Sequence, residues 1–410
     1  MAPPTTATLG FDEDCRTAVG NLRSTLLGLF RALDADPTRP QEIARRFKLD
    51  KSLTWKVSKA LQSDDAFSAA AALPGASGVG ILLDAMRRGG APADLLAQAR
   101  NASDEYERVI EIHTGDRDTM RLILDSLSRD ERALEVGRRQ AFRGNSGIWG
   151  IQCQVRVSAD FVAPAASNAD RLDLGMLAGC TRVRRLRPIA SWPILDVHHL
   201  RDDRTANLDQ PLYQPWGDAS DDGGWILRPF CTETMPALTR REMPYGVRYE
   251  LGDGPVGRTG EFGWYGGHVR RSAVPRFAGP GDTYGQFEVG ISLPTETLLY
   301  DLFVHHTLAE ALNPKVLHFN RLPEHISRSD PSQRLPIAAK VHDLGRHPAV
   351  ATPLVEQYDR VIASAMGNVG WDLADFHCLR VVYKYPPLLS TIGLRYELPA
   401  RTSKGETSDA

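Results

Sequence analysis

The feature that most limits how this chain can fold is a change of hydrophobic period near Gly144-Asn145. Before it, apolar residues recur at helical spacing. Val19, Leu22, Leu26, Leu29, Phe30 and Leu33 make one stripe; Met120, Ile123, Leu124, Leu127, Leu134 and Val136 make another, predicting a helix over 118–142. After it, Ile151, Cys153, Val155, Val157, Ala159 and Phe161 alternate with Gln152, Gln154, Arg156, Ser158 and Asp160, which is the period of a strand. Helices grouped ahead of strands read as an α+β chain. The expectation is an all-helical domain over 11–143, then a mixed, mainly antiparallel sheet domain with a few helices over 146–400.

In the second half the pattern predicts strands over 225–230, 246–251, 261–269 and 284–293, and helices over 171–179, 295–311 and 352–365. His377–Tyr385 and Thr391–Leu398 read as a hairpin bent at Pro386-Pro387, because proline cannot donate to a ladder. Gln152, Gln154 and Arg156 read as a solvated sheet face.

Within the helical half, Pro40–Leu61 has the spacing of two short helices at a tight corner. Ile43, Ala44 and Phe47 share one side of the first; Leu53, Val57, Ala60 and Leu61 share one side of the second. Leu49 plugs the corner, and Asp50 or Ser52 caps the second helix. Seven basic residues, Arg39, Arg45, Arg46, Lys48, Lys51, Lys56 and Lys59, stand against Glu42 and Asp50, while the whole chain has a net charge of -2. Such local basic charge suits a surface aimed at phosphates. The plainer alternative is a core helical pair with a solvated basic face. Arg16–Leu33 would supply the first helix of a three-helix unit. No strand-turn-strand follows Leu61, so no wing is expected.

Glu42–Leu61, EIARRFKLDKSLTWKVSKAL, resembles the helix-turn-helix of bacterial transcriptional regulators of the IclR and MarR types. The resemblance implies that Lys51, Ser52, Thr54, Trp55, Lys56 and Lys59 face a DNA groove, and that double-stranded DNA is the partner of a homodimer reading two half-sites. Lysines and arginines would hold phosphates, and Thr54, Ser58 and Lys59 would reach base edges. Trp55 is expected to fold back into the helical packing.

Other chemistry is thinly represented. There is no G-x-S-x-G elbow, no phosphate loop and no dinucleotide fingerprint. The five cysteines are scattered without a C-x-x-C pair. The DVHHLRDD run, with Asp196, His198, His199, Asp202 and Asp203, reads as a solvated loop, since adjacent histidines on a strand point apart. His305-His306 falls on the helix expected over 295–311. Phe262, Trp264 and Tyr265, with Arg258 and His268, suit either a sheet core or a ligand pocket. No apolar run is long enough to span a membrane, and the opening residues lack a secretion signal. The expectation is a cytoplasmic DNA-binding transcriptional regulator without catalytic residues, cofactor or metal. Its second domain would sense a small-molecule effector or mediate association. The rival is an enzyme or assembly protein acting through that second domain.

Overall fold

The apolar stripe at 19–33 becomes helix α1 (Phe11–Ala32), with Val19, Leu22, Leu26 and Leu29 fully buried. α2 (Pro40–Phe47), α3 (Lys51–Gln62), α4 (Ala66–Ala72), α5 (Ala76–Arg88), α6 (Ala93–Thr114) and α7 (Arg117–Leu127) follow. The computed structural model describes residues 10–127, 131–189, 191–198, 213–216, 224–244, 246–280, 283–322, 330–336 and 339–401. Two compact units divide the chain, Met1–Leu134 and Glu135–Ala410. In the first, α1 packs along α6 and α4, and Tyr106 of α6 is buried with its hydroxyl donating to Ala70 O at 3.1 Å. Asp65 caps α4 by accepting from Phe67 N and Ser68 N. Asp116 accepts from Thr119 N at 2.7 Å at the start of α7.

The helix expected over 118–142 is two helices, α7 and α8 (Glu131–Trp149); residues 128–130 lie outside the described residues. Helix gives way to strand at Gly150, whose φ of 71° lies in the left-handed region that glycine enters without a Cβ penalty.

In the second unit a seven-stranded sheet has the order β11-β12-β9-β1-β2-β7-β4. These strands are β1 (Ile151–Ala165), β2 (Asn168–Arg185), β4 (Tyr213–Pro215), β7 (Phe262–Pro275), β9 (Thr295–His305), β11 (Val341–Arg346) and β12 (Phe376–Lys384). β1 and β9 are parallel; the other pairs are antiparallel. Helix α9 (Tyr358–Asn368) covers one face, where Val361, Ile362, Ala365 and Met366 meet Val157, Phe161 and Phe303. The other face meets the three-stranded sheet of β10 (Lys315–Asn320), β13 (Ser390–Glu397) and β8 (Tyr284–Ile291), through Leu298, Tyr300, Leu302, Val289, Ile392 and Leu394. β3 (Trp192–His198), β6 (Gly246–Leu251) and β5 (Leu238–Met243) form a third sheet, packed through Leu195, Val247 and Tyr249 on Cys180 and Trp264.

The α+β architecture is as read, but several elements are not. The helix expected over 295–311 is β9, and the one over 171–179 is part of β2. β9 is covered on both faces, so its apolar run is continuous rather than alternating and matches a buried helix equally well. β2 returns antiparallel along β1 after the two-residue turn at 166–167. The helix expected from 352 begins only at Tyr358, and 225–230 holds a single bridge at Ile226 and a 3-10 turn rather than a strand. The C-terminal strands exist but are not a hairpin. β12 pairs with β9 and β11, whereas β13 pairs with β8 and β10. The chain crosses between sheets at Pro386-Pro387, flanked by Tyr385 (φ 50°) and Leu389 (φ 57°).

The polar face of β1 is solvated only at its start. Gln154 is exposed, but Ser158 and Asp160 are buried. Burial pushes the Asp160 carboxyl up to about 7, against the pull of the Tyr300 hydroxyl that donates to it at 2.6 Å. The folded chain therefore keeps a proton that the unfolded chain releases near pH 4. Between about pH 4 and 7 the folded state binds more protons, so stability falls as pH rises through that window. Asp160→Asn is expected to flatten the fall, by up to about 1.4 kcal/mol per pH unit. Urea midpoints at acid and neutral pH check this, and equal pH slopes for the two proteins would refute it.

Candidate nucleic-acid interface

α2 ends because Lys48 turns left-handed (φ 53°, ψ 47°), a conformation that favours glycine. Leu49 N then donates back to Ala44 O at 3.0 Å, and Leu49 is buried at the corner with Phe47 and Leu53. Asp50 caps α3, its Oδ1 accepting from Ser52 N at 2.7 Å and Leu53 N at 3.3 Å. The Ser52 hydroxyl also donates to Oδ1, and this bond, followed by the two from backbone N–H groups, holds the Asp50 carboxyl below the ordinary range. At the other end of α3, Arg23 of α1 donates to Leu61 O at 3.1 Å and Ser63 O at 2.6 Å. The guanidinium thus meets carbonyls at the negative end of the helix dipole. Lys48→Gly is expected to stabilise the first unit by about 1 kcal/mol, since glycine adopts this conformation freely. A thermal or urea melt reads the change, and a loss of stability would contradict it.

α3 presents one continuous exposed stripe: Lys51, Ser52, Trp55, Lys56, Lys59 and Gln62. Trp55 is 55 % exposed, so it does not fold back as expected. It borders an open groove of about 480 Å³ with Lys56, Ser58, Lys59, Gln62 and Ser63. Gln62 belongs to the stripe although the sequence reading stopped the helix one residue short of it. Continuing the outward spacing past Leu61 would have found it.

Two residues expected to reach base edges are turned inward. Thr54 and Ser58 are each only 2 % exposed. Thr54 Oγ1 donates to Lys51 O at 3.1 Å. Ser58 Oγ donates to Pro37 O at 2.7 Å and accepts from Gln62 Nε2 at 2.7 Å. These hydroxyls are satisfied locally, and Ser58 ties the loop after α1 to α3. Ser58→Ala is therefore expected to cost about 1 kcal/mol of stability, seen as a lower melting temperature. An unchanged melt would remove that structural role.

The basic residues divide by engagement. Arg46 donates to Leu33 O at 2.6 Å and Asp34 O at 2.8 Å, so it braces the end of α1. Arg39 sits 3.4 Å from Asp36 and 3.3 Å from Glu42. Arg45, Lys48, Lys51, Lys56 and Lys59 are exposed and have no ion pair among the described residues. No strand, and hence no wing, occurs among the described residues of the first unit.

The other constellations separate similarly. Asp196 is bound by Arg248 at 2.7 and 3.1 Å, while His199, Asp202 and Asp203 lie outside the described residues. His305 and His306 are at the end of β9 rather than on a helix, with their rings stacked 4.3 Å apart. Among the described residues no three His, Cys, Asp or Glu side chains are grouped to hold a metal ion. Cys153 lies in the core, where burial pushes its thiol up. Phe262 and Tyr265 border a cavity of about 700 Å³; Trp264 and His268 are buried away from it, and Arg258 is exposed. No single helix among the described residues is long and apolar enough to cross a membrane. Comparison with protein-family models, with curated proteins and with solved structures finds no match to this chain.

Proposed function

We propose that the chain is a cytoplasmic transcriptional regulator of the helix-turn-helix kind, binding double-stranded DNA through α3 as a homodimer. One observation carries this reading. The exposed face of a well-capped helix at a tight corner bears Lys51, Lys56 and Lys59 without acidic partners among the described residues, and Arg45 and Lys48 on the preceding helix and corner extend the charge. A face solvated only for solubility typically mixes both signs. On α3 every exposed charge is positive.

The reading is narrower than the resemblance to IclR and MarR regulators implied. On this reading Lys48, Lys51 and Lys56 neutralise phosphates, and Ser52, Trp55, Lys59 and Gln62 meet sugars and base edges. Arg46, Thr54 and Ser58 build the support beneath them. The test is fluorescence-anisotropy titration of the full chain with random-sequence duplex DNA over a range of salt concentrations. Binding that weakens with salt supports the proposal, and no binding at low salt overturns it.

A further inference from the structure

The 700 Å³ cavity lies wholly within the second unit and is of the size that small-molecule sites occupy. Its floor is a row across four adjacent strands. Lys384 of β12 is in register with Thr297 of β9, Thr297 with Val155 of β1, and Val155 with Thr181 of β2. In the next row on the same face, Val157 of β1 pairs with Gly179 of β2, and Gly179 with Tyr265 of β7. The Tyr265 ring leans over Gly179, where a Cβ would come within 2.4 Å of it. Val361 of α9 and the 353–357 segment leading into that helix stand above the floor.

Charge does not choose the occupant. Arg182 and Lys384 stand against Glu261 and Glu356 in the lining, and Glu261 is shared, 2.6 Å from Arg184 and 3.8 Å from Arg182. Arg182, Glu356 and Lys384 are exposed, and Glu296, next to Thr297 on β9, alternates to the opposite face of the sheet. What the interior offers instead is hydroxyl groups. Thr297 is 3 % exposed and Tyr265 5 %, and neither hydroxyl has a hydrogen-bond partner among the described residues. Polar atoms this deep ordinarily have one. Thr232, also in the lining, does: its Oγ1 accepts from Gly263 N at 3.0 Å. Burial pushes the Tyr265 phenol above its ordinary range, so it stays a protonated donor at neutral pH. Val155, Val355, Val361 and Phe230 make the surroundings apolar. An ion drawn in among them would lose its hydration without a counter-charge, whereas a neutral oxygen loses little and gains a hydrogen bond.

We propose that this cavity binds an uncharged organic molecule, an apolar or aromatic body with carbonyl oxygens at two ends, which accept from the hydroxyls of Tyr265 and Thr297. The hydroxyls are separate anchors rather than one fork. Three strand spacings, about 14 Å, divide the backbones of β7 and β9, and Tyr265 spans part of that by leaning over Gly179. The body then lies over Val155 and beneath Val361. DNA binding plays no part in this site or in its test.

The test uses probes of one shape on the full chain: 1,4-diacetylbenzene, 4-ethylacetophenone and 1,4-diethylbenzene, which carry two, one and no carbonyls, with 4-ethylbenzoate and 1-(4-ethylphenyl)ethylamine as the anion and the cation. Isothermal titration is expected to show a gain of about fivefold in affinity for each carbonyl, with both ions weaker than 1,4-diacetylbenzene. Tyr265→Phe and Thr297→Val each remove one hydroxyl at nearly constant volume. Each is expected to weaken 1,4-diacetylbenzene about fivefold and to leave 1,4-diethylbenzene unchanged, which separates a lost hydrogen bond from a damaged fold. Cys231 supplies an independent report of location. It lines the cavity and is part-exposed, whereas Cys15, Cys153, Cys180 and Cys378 are buried. Iodoacetamide should alkylate Cys231 first, and 1,4-diacetylbenzene should slow that reaction, as read by peptide mass spectrometry. Equal affinity for the diketone and the hydrocarbon, tighter binding of either ion, no binding by any probe, variants that hold the diketone as the wild type does, or unchanged Cys231 alkylation would each overturn the proposal.

Discussion

Replacing Lys51 and Lys56 together by alanine is expected to weaken binding to duplex DNA by about 30-fold near physiological salt of about 0.15 M. The size follows from counterion release. Each phosphate neutralised adds about 0.9 to the slope of log affinity against log salt, so losing two contacts lowers the slope by about 1.8. Raised to that power, the salt concentration gives the factor. Both side chains are exposed on α3 and have no acidic partner among the described residues, so their removal leaves no buried group unpaired. The fold should therefore survive, and the melting temperature should hold while affinity drops. Lys340→Ala, which removes an exposed lysine from the second unit, should leave both affinity and slope unchanged. Arg46→Ala should behave differently again, losing stability because its guanidinium holds two carbonyls at the end of α1. If the double lysine variant keeps the wild-type slope, α3 is not the DNA-facing surface.

The corner itself was legible because its determinants are local. The αL turn, the Asp50 cap and the apolar positions of α2 and α3 all lie within 22 consecutive residues, Pro40–Leu61. The inward turn of Thr54 and Ser58 was not legible, since polar residues are assigned outward by default. Ser58 is satisfied by Pro37 O, and only the folded loop brings that carbonyl there. Trp55 failed in the opposite sense, because the core under α3 is already filled by Leu53, Val57 and Leu61. In the second unit, β1 and β8 alternate and were found. β9 was not, because cover on both faces erases alternation. The division of β12 and β13 between two sheets has no local signature. The cavity was invisible for the same reason: its walls come from seven separated stretches of chain, at 154–155, 181–182, 229–232, 261–265, 296–297, 353–361 and 384.

Asp301→Ala is expected to be among the most destabilising single changes in the second unit, at about 3–5 kcal/mol. Asp301 is wholly buried on β9, and its register neighbour on β12 is Arg380. The two form a bidentate pair, with Nε at 2.8 Å and Nη2 at 2.7 Å from the carboxylate oxygens. Nη2 also donates to Val350 O at 2.8 Å, and the guanidinium lies 5.7 Å from the Tyr358 ring. The pair thus links two sheet strands to the segment entering α9. Without the carboxylate, Arg380 stays buried with a single carbonyl to satisfy it, and the desolvation cost of its charge is uncompensated. The pair as a whole need not be stabilising. Asp301→Leu combined with Arg380→Met removes both charges and keeps apolar volume, so the double variant is expected within about 1.5 kcal/mol of wild type. Tryptophan fluorescence in urea suits the measurement, because six of the seven tryptophans, all but Trp55, belong to the second unit. A small loss for Asp301→Ala would mean that water reaches Arg380. A double variant as unstable as Asp301→Ala would mean that the pair's geometry, rather than its charge balance, holds α9 to the sheet.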